Sequence, residues 1–248
     1  MFDLKGKLAL VTGANRGIGK AVAMGYARCG VNIVNVDLKA SEETQKEIEA
    51  LGVKCYSYNY NLSNLEGIPK LVEEITEKCG NIDRLYTNAG TQKRHPCVDF
   101  PQDDWAFVMD VNANSVFFLC QAVGKTMIKN GHGKIINTAS LLSFQGGLTI
   151  PAYAASKGAV MQFTKSLSNE WAQYGVNANC IAPGYLDTDL NTALVNDKVR
   201  SSQILERIPA GRWGKPEEIV GTAIFLASSY SDYINGVVIP VDGGWLGR

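Results

Sequence analysis

Short apolar runs alternate with longer amphipathic stretches along the whole chain. KLALVT, VNIVNVD, VKCYSY, IDRLYTN, KIINTAS, VNANCIAP and GVVIPVD each fit a strand. Helical patterns lie between them, such as SEETQKEIEALG with Ser41 as candidate N-cap, and IPKLVEEITEKCG closed by Gly80. Apolar strands alternating with helices predict an α/β fold, a doubly wound parallel sheet with helices on both faces. No repeat, linker or low-complexity tract divides the chain, and its 248 residues suit one domain. Ligands on such sheets bind beyond the carboxyl ends of the strands, near the switch in strand order. Asn88, Ser140 and Pro183 each stand at or just past such an end.

The first strand runs into a glycine turn and a helix, in KLALVTGANRGIGKAVAMGYARCG. Gly13, Gly17 and Gly19 allow a tight turn that a pyrophosphate can approach, and the helix start offers free N–H groups and a positive dipole end. The spacing is TGxxxGxG, a variant of the commoner dinucleotide fingerprint. Asp37 closes the second strand, where a carboxylate accepts hydrogen bonds from ribose hydroxyls and repels a 2′-phosphate. Arg16 pulls the other way, because a guanidinium pairs with phosphate. Asp37 would touch the discriminating hydroxyl, so NAD is the expected cofactor.

Tyr153 and Lys157 are four residues apart in PAYAASKGAV, a spacing that a helix places on one face. A phenol beside an ammonium makes a proton donor whose pKa the cation can lower, and Ser140, ending KIINTAS, could hold a substrate oxygen. The same spacing also suits a solvated helix face.

Composition narrows the classes. The formal net charge is zero, so no broad basic surface for nucleic acid is expected. No apolar run reaches membrane-spanning length, and MFDLKGKLALVTG lacks the pattern of a secretory signal, so no membrane association is expected. Six scattered cysteines without a C-x-x-C pair read as small buried hydrophobes in a reduced, cytoplasmic compartment. His95 and His132 have no metal-binding companions in sequence, so no metal is expected.

Together TGANRGIG, TNAG, NTAS, YAASK and APGY, in this order, resemble the short-chain dehydrogenase/reductase family of NAD(P)-dependent oxidoreductases. The resemblance covers essentially the whole chain. It implies a single-domain Rossmann-type fold, a homotetramer and a catalytic tetrad of Asn112, Ser140, Tyr153 and Lys157. It also implies cofactor contacts from Gly13, Asn15, Arg16, Gly17, Ile18, Gly19, Asp37, Asn61, Leu62, Asn88, Ala89 and Gly90. Tyr153, Lys157, Pro183, Gly184 and Thr188 complete that set, with Thr188 at the nicotinamide carboxamide. Asn61 stands where the family commonly has an aspartate, and Thr87 departs from the usual NNAG with little expected consequence. In this reading Tyr153 takes the substrate hydroxyl proton, and Lys157 with the cationic nicotinamide must depress its pKa.

LLSFQGG, NEWA, RIPAGRWGKPEEI and the C-terminal VDGGWLGR resemble the branch acting on six-carbon sugar acids, with a ketodeoxy acid ahead of gluconate. The substrate residues implied are Arg94, Ser140, Gln145 and Tyr153, a guanidinium fork suiting a carboxylate. Arg94 could equally be a solvated loop charge, and Gln145 a residue capping local backbone. By the same resemblance, residues from about 187 to 207 form a substrate lid. Trp245 would then cover apolar surface near a neighbouring subunit's pocket. A 3-oxoacyl-carrier-protein reductase is the rival enzyme, disfavoured by Asp37 and the neutral charge. A non-catalytic nucleotide-sensing scaffold is the rival class.

Overall fold

The computed structural model describes residues 4–248, apart from the Leu190 side chain. Seven strands, Leu8–Thr12 (β1), Asn32–Asp37 (β2), Cys55–Asn59 (β3), Arg84–Thr87 (β4), Gly133–Thr138 (β5), Val176–Pro183 (β6) and Val238–Val241 (β7), form one sheet in the order β3-β2-β1-β4-β5-β6-β7. Every pairing is parallel. The chain winds outward from β1 to β3, then returns to β4 on the other side of β1. That reversal opens a crevice beyond the carboxyl ends of β1 and β4, the switch point of a doubly wound sheet.

The helices are Gly17–Arg28 (α1), Glu42–Glu49 (α2), Ile68–Cys79 (α3), Gln102–Met109 (α4), Ser115–Asn130 (α5), Pro151–Trp171 (α6), Thr192–Asn196 (α7), Lys198–Leu205 (α8) and Val220–Ala227 (α9). Alternation along β1 sorts them into two layers. Leu8 and Leu10 face a core shared with α3, α5 and α6, whereas Ala9 and Val11 face a core shared with α1 and α9. In α3 the residues Ile68, Leu71, Val72 and Ile75 form one buried stripe, and Gly80 ends it at φ +99°. Ser41 caps α2 by accepting from Thr44 N at 3.2 Å. The strands lie within one to two residues of those expected.

Two expectations need correction. Through a π-helical turn at Asp110–Asn114, α4 and α5 make one helix, Gln102–Asn130, of 29 residues. It is long and apolar enough to span a bilayer by length and composition, although no single apolar run in the sequence is. Its apolar character belongs to a core helix, since Val116, Leu119, Cys120, Val123 and Met127 pack into the sheet. The cysteines are also not uniformly buried: Cys55, Cys120 and Cys180 are, Cys29 and Cys79 are half-buried, and Cys97 is exposed at the start of a 3₁₀ turn, Cys97–Asp99.

Candidate active site

One cavity of about 680 Å³ follows the carboxyl edge of the sheet. At one end it is lined by Arg16, Gly17, Asp37 and Asn61, and at the other by Arg94, Ser140, Tyr153 and Lys157. Ile18, Leu62, Asn88, Ala89, Gly90, Pro183, Gly184, Thr188 and Gly13 lie along it.

The glycine turn is shaped by contact with β4. Gly13 has φ +69°, and a Cβ there would stand 3.0 Å from Ala89 Cα. A Cβ on Gly19 would stand 2.1 Å from the Gly13 carbonyl oxygen, so this glycine allows α1 to close under the turn rather than to touch a ligand. Thr12, which the sequence did not single out, joins the two loops: its Oγ1 accepts from Asn88 N at 2.9 Å and Ala89 N at 3.1 Å. Asn88 Nδ2 donates to the carbonyls of Thr12 and Gly13, both at 3.3 Å. TNAG therefore holds the turn in shape. Thr87 is not inert either, since its hydroxyl donates to buried Asn137 Oδ1 at 2.7 Å, and Asn137 Nδ2 reaches Thr164 Oγ1 at 2.9 Å.

Asp37 accepts from Asn15 N at 3.3 Å and faces the cavity. The Asn15 side chain is occupied within the protein: its Oδ1 accepts from Asn35 Nδ2 at 2.9 Å and Ser41 N at 3.0 Å. Arg16 Nη1 meets Asp189 Oδ2 at 3.0 Å, a pair exposed on both sides. A glycine turn and helix start lining the cavity, with a carboxylate at the end of β2, fit the pyrophosphate and ribose of a nicotinamide dinucleotide.

At the other end α6 begins at Pro151 and carries Tyr153, Ser156 and Lys157. Lys157 Nζ donates to the Thr138 carbonyl at 2.7 Å and lies 5.8 Å from the Tyr153 ring centroid. Burial lowers the Lys157 pKa to about 8. It raises that of Tyr153, with hydrogen bonding to Ser140 pulling the other way. Ser140 leaves β5 with extended backbone, and its Oγ accepts from Leu142 N at 3.2 Å. Ser143 buttresses it, accepting from Ser140 N at 3.2 Å and donating to the Lys157 carbonyl at 2.7 Å.

Asn112 sits in the π-helical turn, not in a regular helix or on the surface. Its Oδ1 accepts from Thr91 N and its Nδ2 donates to Thr91 O, both at 2.8 Å, with Ser156 Oγ at 3.2 Å from Nδ2. The extra residue of a π-turn re-aims side chains, and it turns this amide towards the loop after β4. Asn112 therefore stands behind the cavity wall. Gln145 also lies off the cavity, its N–H bonded to Leu141 O at 3.3 Å.

Each histidine meets one aspartate: His95 Nε2 is 2.7 Å from Asp104 Oδ2, and His132 Nε2 is 3.1 Å from Asp83 Oδ1. Among the described residues no group of three or more His, Cys, Asp or Glu could hold a metal ion. Segment 187–207 folds as a short 3₁₀ turn followed by α7 and α8, whose cap Asp197 accepts from Val199 N and Arg200 N at 3.0 Å. Trp245 is buried against Ile204 and Ile208, with the Arg207 guanidinium 4.1 Å from its ring centroid. The C-terminal tryptophan thus covers the base of this segment within its own chain.

This sheet, with a glycine turn at its switch point and a tyrosine and lysine at the far end of one cavity, defines a nicotinamide-dependent oxidoreductase of the Rossmann class. The chain belongs to the short-chain dehydrogenase/reductase family, and a family model described as enoyl-(acyl carrier protein) reductase matches residues 13–246. It is 48% identical over 248 residues to a 2-dehydro-3-deoxy-D-gluconate 5-dehydrogenase of Dickeya dadantii, covering 100% of this chain and 98% of that protein. A Bacillus subtilis protein of the same name is 49% identical, with 100% and 97% covered. A solved gluconate 5-dehydrogenase of Burkholderia cenocepacia J2315, in complex with NADP and tartrate, superposes with TM-score 0.94 at 42% identity, over 98% of this chain and 96% of that one.

Proposed function

We propose that the chain is a 2-dehydro-3-deoxy-D-gluconate 5-dehydrogenase (2-deoxy-D-gluconate 3-dehydrogenase) that interconverts a secondary alcohol and a ketone on a sugar acid with NAD. The observation that carries this reading is the whole-length likeness, at 48% and 49% identity, to two relatives of that name. Gluconate 5-dehydrogenase is the second reading, favoured by the 42% identity to the Burkholderia protein.

When bound, the nicotinamide ring supplies or accepts the hydride. The chain's own residues handle the rest. Ser140 hydrogen-bonds the substrate oxygen and steadies charge as it develops there. Tyr153 Oη exchanges the hydroxyl proton. Lys157 holds positive charge beside it and opposes the effect of burial on the phenol, together with the charge of the oxidised cofactor. Asn112 fixes the loop carrying Thr91 to Arg94 against α6. Asp37 favours an unphosphorylated ribose. Arg16, the residue expected to welcome a 2′-phosphate, already faces the Asp189 carboxylate. The cofactor's adenosine side is held by Arg16, Asp37, Asn61 and Leu62, and Thr188 meets its carboxamide. Residues 187–207 act as a lid that excludes water on closing. By family likeness the enzyme is a cytoplasmic homotetramer.

Steady-state turnover with NAD and NADP tests the reading, using 2-dehydro-3-deoxy-D-gluconate, 2-deoxy-D-gluconate and D-gluconate, and the matching keto acids with NADH. Preference for the deoxy or ketodeoxy acids with NAD supports it. Equal or better turnover of gluconate moves the assignment to gluconate 5-dehydrogenase. Activity on none of them removes the sugar-acid reading, and a preference for NADPH with an acyl thioester points to a carrier-protein reductase.

A further inference from the structure

We propose that Arg200, on the first turn of α8, binds the substrate carboxylate together with Arg94, so that the acid itself draws segment 187–207 onto the site. The proposal rests on the sugar-acid reading above.

Charge along the cavity is sorted by end. The two carboxylates that line it are both engaged towards the glycine turn: Asp37 accepts from Asn15 N, and Asp189, from segment 187–207, pairs with Arg16. The remaining charged residues of the lining are cations, Arg94, Lys157 and Arg200. Lys157 is committed to the Thr138 carbonyl beneath Tyr153. Arg94 and Arg200 are in no ion pair among the described residues. Each meets only a neutral amide oxygen: Arg94 Nη2 reaches Gln92 Oε1 at 3.3 Å, and Arg200 Nη1 reaches Gln203 Oε1 at 2.8 Å. These bonds orient the guanidinium forks and leave their charges uncompensated.

The two arginines come from different elements of the one cavity lining. Arg94 belongs to the loop after β4, which Asn112 anchors through Thr91, and Arg200 belongs to segment 187–207. Asp197 caps Arg200 N at 3.0 Å, so α8 presents this side chain from a fixed backbone. From the same segment the lining also takes Thr188, Asp189, Asn191, Leu194 and Ile204, so Arg200 is its one cation there. Two guanidinium forks lining one cavity suit the two oxygens of one carboxylate, and an anion bound to both would tie segment 187–207 to the loop after β4. The sequence had marked Arg94 alone. Arg200 lies more than a hundred positions away, in the stretch that resemblance marked as a lid without naming a ligand-binding side chain beyond Thr188.

The test compares wild type, Arg200→Gln and Arg200→Lys with 2-dehydro-3-deoxy-D-gluconate and with its uncharged methyl ester. We expect Arg200→Gln to raise the KM for the acid by about tenfold to a hundredfold, the scale of one charge-assisted hydrogen bond. The KM for NAD and the turnover of the ester should not move, and Arg200→Lys should recover part of the loss. An unchanged KM for the acid overturns the proposal while the sugar-acid reading stands. A rise in the KM for NAD alone assigns Arg200 to the cofactor and overturns it as well. If wild type turns over no sugar acid, the reading of the previous subsection fails. Tartrate binding by calorimetry then decides the clamp: weaker binding to Arg200→Gln than to wild type supports it, and equal binding overturns it.

Discussion

Tyr153 and Lys157 share one electrostatic problem. Burial disfavours the phenolate of the first and the ammonium of the second, so each charged form costs less when the other is present. Tyr153→Phe keeps the ring and removes the proton, and turnover should fall by about 10²- to 10⁴-fold. NADH binding, followed by fluorescence titration, should stay close to normal, and retained turnover would refute the proton-transfer role. Lys157 makes a second prediction with a definite sign. Its folded pKa of about 8 lies below the ordinary 10.5, so between those values the folded chain sheds a proton that the unfolded chain keeps. Stability then rises with pH across that window, by about 3 kcal/mol at most. Denaturant unfolding at both ends of the window should show this rise in wild type and its absence in Lys157→Met. Parallel behaviour of the two proteins would contradict it.

Among the elements, the π-helical turn at Asp110–Asn114 carries the most consequence. A regular helix through these residues would rotate Asn112 away from Thr91 and break both 2.8 Å bonds to its backbone. Asn112→Ala leaves a backbone N–H and C=O without partners, and should cost about 1–3 kcal/mol of stability by thermal unfolding. Because Thr91 begins the loop that reaches Arg94, the same variant should also raise the KM for the sugar acid. A fall in stability with wild-type kinetics would confine Asn112 to a structural role. Asparagine was legible here through family likeness, but the π-turn was not, since neither apolar periodicity nor propensity marks a one-residue insertion in a helix.

At the scale of the molecule, strand order gathers positions that are far apart in the chain. Trp245 packs on Ile204 and Ile208, and its ring lies 4.8 Å from that of Tyr185. Removing so large a buried side chain costs about 3–5 kcal/mol where the surroundings do not collapse. Because the cluster sits under α8, Trp245→Ala should make residues 187–207 the first site of limited proteolysis and raise the KM for the acid more than that for NAD. Global unfolding without earlier cleavage there would separate the tryptophan from this segment.

The sequence by itself determined what depends on near neighbours. Period-two burial and apolar runs specify the strands, three glycines and a following helix specify the turn, and an i, i+4 spacing joins Tyr153 to Lys157. Family likeness extended this to Asn112 and to most of the residues along the cavity. Only the tertiary structure decided which side chains are already occupied. Asn15 is spent on Asn35 and Ser41 and Asn112 on Thr91, Arg16 meets Asp189 in an exposed pair, Gln145 falls outside the cavity and Arg200 lines it. It also exposed Cys97 and joined two helical stretches into Gln102–Asn130. The physical reason is common to all of these. Each contact pairs groups whose separation in space is set by the order in which seven strands pair, and a local pattern carries no record of that order.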